Sequence, residues 1–113
     1  SRDRWLDAIS WCESRDDDRA VGQEGERGRW QFTRATWAQH TTRSFFEAHR
    51  PVVAHAVAIR HWRWIQRVLA CEVPYLAVRS WQEGVSRVKR SPRRRTAYAD
   101  AVERRYRLTS RRK

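Results

Sequence analysis

The chain has 113 residues, of which 40% are apolar, and its seven tryptophans stand beside only four glycines and three prolines. This composition predicts one folded domain and excludes both a disordered chain and a two-domain protein. No apolar run approaches the roughly 20 residues that a membrane-spanning helix needs. The net charge of +12 favours an anionic partner, which includes nucleic acid, anionic lipid and the acidic polymers of a cell wall.

Apolar periodicity predicts helices joined by one long loop. The first helix is expected over residues 3–14, with Asp3 as its N-cap. Residues 15–31 hold three of the four glycines and show no helical period. They predict a structured loop with a short extended piece at residues 29–32. Thr33 then stands where it can cap a short helix.

Three further helices are predicted in the second half of the chain. Pro51 suits the first turn of the longest helix, whose apolar spacing makes it the expected central helix. Pro74 opens the next helix, which is expected to end near Gly84. A basic turn follows, and the last helix is predicted over residues 96–108. The predicted fold class is therefore all-α.

Glu13 stands at the end of the first predicted helix, beside Trp11 and Cys12. A carboxyl group with apolar neighbours is costly to ionise, so its pKa rises. A raised pKa suits a carboxylic acid that must donate a proton near neutral pH. The alternative is an exposed glutamate on the solvent face of the helix.

Four motifs occur in order along the chain: CESR, GERGRWQFTRATW, YLAVRSWQEGVSRV and YADAVERRY. They resemble the Glu-Ser, Gly-x-x-Gln, aromatic-Asn-x-Gly and Tyr-Ala-x-x-Val motifs of the lytic transglycosylase and goose-type lysozyme superfamily. The resemblance covers about residues 5–106. It implies a lysozyme-like helical domain over residues 1–108 with a glycine-containing active-site loop, followed by a basic tail at residues 109–113.

The resemblance assigns roles to individual residues. Glu13 matches the catalytic acid, and Tyr98 matches a tyrosine that lies close to that acid in the family. Gln82 departs from the pattern, because the family has asparagine there, and the longer arm changes the geometry of any contact with a sugar N-acetyl group. For Trp30 and Trp81, packing in the core is the alternative to contact with substrate. The residues assigned to substrate binding are Ser14, Gly28, Trp30, Gln31, Trp81, Gln82 and Tyr98.

The product of the reaction depends on a second carboxylate. Glu26 lies in the loop, where it can face Glu13 and serve as the base for a water molecule in an inverting hydrolase. The alternative is an acid that organises the loop by binding backbone amides or an arginine. Arg27 and Arg29 are its expected partners, and pairing would make it a poorer base. The expected attack is then by the muramic 6-hydroxyl of the substrate, which is what the resemblance implies for transglycosylases.

The cysteines and histidines give no metal motif. Cys12 and Cys71 allow either a disulfide or two free thiols, and the two residues are expected to lie close together. The four histidines are not expected to converge, since His55 and His61 lie six apart on the longest helix. No metal and no cofactor is therefore expected.

The expected function is cleavage of the β-1,4 bond between N-acetylmuramic acid and N-acetylglucosamine in peptidoglycan, by a secreted or periplasmic monomer that releases 1,6-anhydromuropeptides. The start at Ser1 without methionine predicts a processed or trimmed chain. One alternative is a hydrolytic lysozyme that uses Glu26. Another is a basic nucleic-acid- or wall-binding module without catalysis, although no recognition-helix or zinc pattern predicts specific nucleic-acid binding.

Overall fold

The protein is all-α, as predicted, in a computed structural model that describes residues 1–110. Helices make up 67% of the structure, and no strand occurs in this part of the chain. The helices in chain order are α1 Arg2–Ser14, α2 Arg34–His40, the 3₁₀ helix Phe45–His49, α3 Pro51–Leu69, α4 Pro74–Glu83, α5 Val85–Arg90 and α6 Ala97–Ser110.

Helix α1 begins at Arg2, and its N-cap is Ser1 instead of the predicted Asp3. The Ser1 Oγ accepts a hydrogen bond from the Arg4 amide at 3.4 Å, which satisfies one of the amides left free at a helix start. Asp3 lies inside the first turn, where its negative charge interacts favourably with the helix dipole. Ser1 therefore caps the helix because it lies immediately before the first helical residue, whereas Asp3 is already helical.

The segment between α1 and α2 consists of turns held together by two single bridges. Arg27 forms antiparallel bridges with both Val21 and Phe32. The prediction of an extended piece at residues 29–32 is wrong. Gln31 has a left-handed backbone with φ 51°, a conformation that a strand does not accommodate.

Gly28 lies directly against the 3₁₀ helix. Its φ is +81°, and a Cβ at this position would stand 2.1 Å from the carbonyl oxygen of Ala48. Its amide donates a hydrogen bond to the Ala20 carbonyl at 2.9 Å. No side chain fits here, so the glycine is what allows the long segment to pack onto the 3₁₀ helix.

Helix α3 has Pro51 in its first turn, as predicted. Thr33 caps α2, also as predicted, by accepting a hydrogen bond from the Thr36 amide at 3.2 Å. The side chains that α3 buries are Ala54, Val57, Ala58, His61, Trp62 and Ile65. This stripe at helical spacing packs against the aromatic core.

A buried arginine joins α4 to the end of α5. Arg79 is 0% exposed and donates to both Glu83 carboxylate oxygens at 2.8 and 3.2 Å. It also donates to the Ser91 carbonyl at 2.7 Å. Helix α4 ends at Gly84 as predicted, but α5 was not predicted and starts directly after that glycine, whose φ is +89°. The Arg79 hydrogen bond lowers the pKa of Glu83.

Helix α6 extends to Ser110, so Thr109 and Ser110 are helical and do not belong to a tail. The rest of the predicted basic tail, residues 111–113, lies outside the described residues. Both Cys12 and Cys71 are free thiols. None of the helices in residues 1–110 is long and apolar enough to cross a membrane.

Replacing Gly28 by alanine should destabilise the protein more than replacing Gly25 by alanine. Both glycines have left-handed backbones, with φ of +81° and +85°, but a Cβ at Gly25 meets nothing within 4 Å. Gly28→Ala adds a collision with the 3₁₀ helix, and overpacking of this kind costs about 1–3 kcal/mol. Thermal or urea unfolding of the two variants measures the difference. Equal losses would show that the backbone conformation alone accounts for the cost.

Candidate active site

Glu13 lies in the last turn of α1, just before the helix is closed by two left-handed residues. Arg15 and Asp16 have φ of 59° and 61°, and the Arg15 amide donates to the Trp11 carbonyl at 2.9 Å. This closure is the usual way in which a helix satisfies its last carbonyls. The backbone changes direction immediately after Ser14, so Glu13 lies at the junction between α1 and the segment that follows it.

Tyr98, in the first turn of α6, donates a hydrogen bond from its hydroxyl to Glu13 Oε2 at 2.8 Å. The two residues are 85 positions apart, and the packing of α6 along α1 brings them together. A carboxyl group from the first helix and a phenol from the last one therefore share a single hydrogen bond.

Burial is the main electrostatic influence on this pair. It raises the pKa of Glu13, the Tyr98 hydrogen bond acts in the opposite direction, and the negative charge of Glu26 raises the pKa further. Burial also raises the pKa of Tyr98 well above its ordinary value, and the charge of Glu13 adds to this effect. Glu13 is thus protonated over a wider pH range than an exposed glutamate, while Tyr98 remains a donor.

Ser14 fastens α1 to the segment that follows it. Its hydroxyl donates to the Arg29 carbonyl at 2.8 Å and accepts a hydrogen bond from the Asp17 amide at 3.0 Å. These partners are parts of the protein backbone, so the hydroxyl predicted to contact substrate is engaged in holding the turn.

Gln31 closes the turn that begins at Gly28. Its Nε2 donates to the Gly28 carbonyl at 2.9 Å and to the Ala20 carbonyl at 3.3 Å. The Gly-x-x-Gln pattern therefore has a structural basis in this chain. The glycine admits the close approach to the 3₁₀ helix, and the glutamine side chain holds the turn in place.

Glu26 organises the loop and also faces Glu13. Its Oε1 accepts a hydrogen bond from the Glu24 amide at 2.8 Å, and its charge influences the Glu13 carboxyl. The pairing expected with Arg27 and Arg29 is wrong. Arg29 binds Asp18 through two hydrogen bonds of 2.7 and 3.0 Å.

Arg27 also has other partners. Its guanidinium lies 4.5 Å from the Phe46 ring centroid and 3.4 Å from His49 Nε2. In the described part of the chain, no arginine forms an ion pair with Glu26. The Glu24 backbone amide, instead of an arginine side chain, therefore binds the Glu26 carboxylate.

The two tryptophans considered for substrate contact differ in exposure. Trp30 is 2% exposed and donates from Nε1 to the Leu6 carbonyl at 2.8 Å. Of the two roles open for Trp30, the structure favours packing in the core. Trp81 is only partly buried, and its Nε1 donates to the Trp30 carbonyl at 3.4 Å. Trp81 therefore keeps one side available at the surface.

Gln82 is exposed and lines an open groove of about 530 Å³ beside Trp81. The groove contains the rings of Trp64 and His61 and the ion-paired Glu83, and it is otherwise rich in neutral hydrogen-bonding side chains. Those polar side chains are Thr33, Thr36, Gln39, Ser80, Gln82 and Ser86. Such a lining suits hydroxyl and amide groups better than charged ones.

Two histidines converge in this region, contrary to the sequence-based expectation. His40 Nε2 and His61 Nδ1 are 2.9 Å apart, and His61 stacks on Trp64 with 12° between the rings. Burial, and then the charge of His40, lowers the pKa of His61 to about 3. The place of His61 in the buried stripe of α3 was the available signal, because a polar residue in such a stripe needs a partner.

No group of three or more His, Cys, Asp or Glu residues within residues 1–110 is placed to hold a metal ion. No protein-family model, curated protein or solved structure matches the chain.

Glu13→Gln should become progressively more stable than the parent protein as the pH rises above 4.5, the ordinary glutamate pKa. The folded parent holds the Glu13 proton more tightly than the unfolded chain does, so its stability falls as the pH rises through the raised pKa. The amide has no proton to lose. Melting temperatures of both proteins from pH 3 to pH 8 measure the effect. A difference that does not change with pH would contradict a raised pKa.

Proposed function

We propose that the protein cleaves the β-1,4 glycosidic bond between N-acetylmuramic acid and N-acetylglucosamine in peptidoglycan, with Glu13 as general acid and base. The proposal includes a lysozyme-like fold and a place of action in the cell envelope or outside the cell. The sequence resemblance suggests this reaction, and the chemistry of the Glu13 site supports it independently.

The observation that carries the proposal is the Tyr98–Glu13 hydrogen bond of 2.8 Å. Glycosidic cleavage needs a protonated acid at the leaving oxygen. A partly buried carboxyl group with a neutral donor meets this need, because a cationic partner would lower its pKa instead. The resemblance pairs the same two residues, which lie on different helices.

The reaction needs no group other than Glu13 to move a proton. Glu13 donates its proton to the glycosidic oxygen as the bond to the muramic C1 breaks, and the N-acetylglucosamine leaves as an alcohol. The Glu13 carboxylate then takes the proton of the muramic 6-hydroxyl while O6 bonds to C1. This step regenerates the acid, consumes no water and leaves a 1,6-anhydro ring on the product.

The alternative is a lysozyme-type hydrolysis in which Glu26 activates a water molecule. One Glu26 oxygen is committed to the Glu24 amide, which restricts its freedom to act as a base. We therefore favour attack by the substrate's own hydroxyl. The groove beside Trp81 and Gln82 offers neutral polar groups and aromatic rings, which suit the faces and amides of a glycan strand.

Glu13→Gln should keep the fold and remove nearly all cleavage of purified peptidoglycan. The amide cannot donate a proton to the leaving oxygen, and general acid–base catalysis contributes about 100-fold to 10,000-fold. The matched control is Glu24→Gln, the same chemical change at an exposed position of the segment that follows α1. Soluble fragments released over time measure the rate. A Glu13→Gln protein that cleaves at the parent rate, or a parent that releases nothing, would contradict the proposal.

The released fragments should be 1,6-anhydromuropeptides, lighter by one water than the products of hydrolysis. Mass spectrometry before and after borohydride reduction distinguishes the two, because only the hydrolysis products have a reducible end. Fragments with reducing muramic ends would indicate the lysozyme alternative. In that case Glu26→Gln should reduce the rate nearly as much as Glu13→Gln does.

A further inference from the structure

An open cavity of about 350 Å³ lies between the end of α1 and helix α6, and Tyr98 is part of its lining. Its lining contains three arginines and no carboxylate. The lining residues are Trp11, Cys12, Arg15, Tyr98, Ala101, Arg104, Arg105 and Leu108. Cavities of this size accept small ligands or one portion of a larger one.

Two of the guanidiniums lie over the same tryptophan. The Arg105 Cζ is 3.9 Å and the Arg15 Cζ is 5.1 Å from the Trp11 ring centroid, and Arg15 Nη1 also donates to the Trp11 carbonyl at 2.9 Å. When a guanidinium stacks on an aromatic ring, the flat face of the guanidinium covers the ring, and the N–H groups at the guanidinium edge remain able to form hydrogen bonds. Trp11 therefore holds these two arginines in place.

The three arginines form no ion pair within the described part of the chain, although Arg104 acts electrostatically on Asp100, whose pKa is lowered chiefly by its hydrogen bond from Tyr75. Among residues 1–110, Arg29 and Arg95 bind carboxylates, but Arg15, Arg104 and Arg105 do not. All three arginines lie close enough to the Cys12 thiol to influence its pKa. Burial raises its pKa, while each of the three arginines acts in the opposite direction.

Unpaired like charges around one concavity attract an anion. The planar guanidinium fork matches the two oxygens of a carboxylate.

Tyr98 connects this cavity to the candidate active site. The residue lines the cavity, and its hydroxyl donates to Glu13. An anion bound by the arginines would therefore be separated from the Glu13 carboxyl group by the Tyr98 side chain. In stem-bearing peptidoglycan, the anionic groups nearest to the scissile bond are the free carboxylates of the peptide stem, because the lactyl carboxyl of the muramic residue is joined to the stem as an amide.

We propose that Arg15, Arg104 and Arg105 form a subsite for the carboxylates of the peptide stem, so that the protein prefers glycan strands whose stems carry free carboxylates to strands whose stem carboxylates are blocked as amides. This proposal rests on the proposed function. It adds a contact with the peptide portion of the substrate, at a site separate from the neutral groove beside Gln82.

The test is a binding measurement with three proteins that carry Glu13→Gln to prevent cleavage. One has no further change, one has Arg104→Gln and Arg105→Gln, and the control has Arg63→Gln and Arg67→Gln. The control loses the same charge from exposed positions on α3. The ligands are soluble stem-bearing glycan strands, the same strands after their stem carboxylates have been converted to neutral methylamides, and single-stranded DNA.

The α6 double variant should bind stem-bearing strands at least about tenfold more weakly, since each lost charged hydrogen bond costs of the order of tenfold in affinity. The control should bind them unchanged, and all three proteins should bind the methylamide strands equally. Equal weakening in the control, loss of DNA binding alone, or no change in the α6 variant would each overturn the proposal.

Cleavage by the unmodified chain is measured in parallel. A chain that binds stems through the arginines but releases no fragments contradicts the catalytic proposal alone. If the unmodified chain cleaves peptidoglycan but the arginine substitutions leave stem binding unchanged, only the proposal of a carboxylate subsite is contradicted.

Discussion

The hydrogen bond from Tyr98 to Glu13 imposes the central constraint on this protein, because it joins the first helix to the last inside a partly apolar environment. A buried carboxyl group needs a partner, yet a cationic partner would keep it ionised. A tyrosine whose own pKa is raised satisfies the carboxyl group without adding charge. The packing of α6 on α1 is what maintains this combination, so the protonation state of Glu13 depends on the tertiary fold.

The segment after α1 serves this site mainly through its own backbone. Ser14, Gly28 and Gln31 belong to the motifs that suggested substrate contacts, but their observed partners are carbonyl and amide groups of the same segment. Each such hydrogen bond contributes about 0.5–1.5 kcal/mol. The negative charge of Glu26, in the same segment, adds to the effect of burial in raising the Glu13 pKa.

The charges are distributed unevenly over the structure. Several carboxylates are bound by arginines, as in the buried Arg79–Glu83 pair and the Arg29–Asp18 pair. Glu13 is bound by a tyrosine instead. With a net charge of +12, many arginines are left without an acidic partner, and the protein places some of them around a concave surface that Tyr98 also lines. An external anion is the natural counter-charge for such a surface.

The sequence by itself determined the helical class, the starts of α2, α3 and α4 and the isolation of Glu13 at a helix end, because periodicity, capping and proline act over a few residues. It could not decide the partners of charged groups. Arg29 bonds to Asp18 instead of Glu26, and His61 meets His40, because these choices depend on how distant segments approach each other. The pKa of Glu13 was likewise decided by tertiary structure, since burial by residues far along the chain is what raises it.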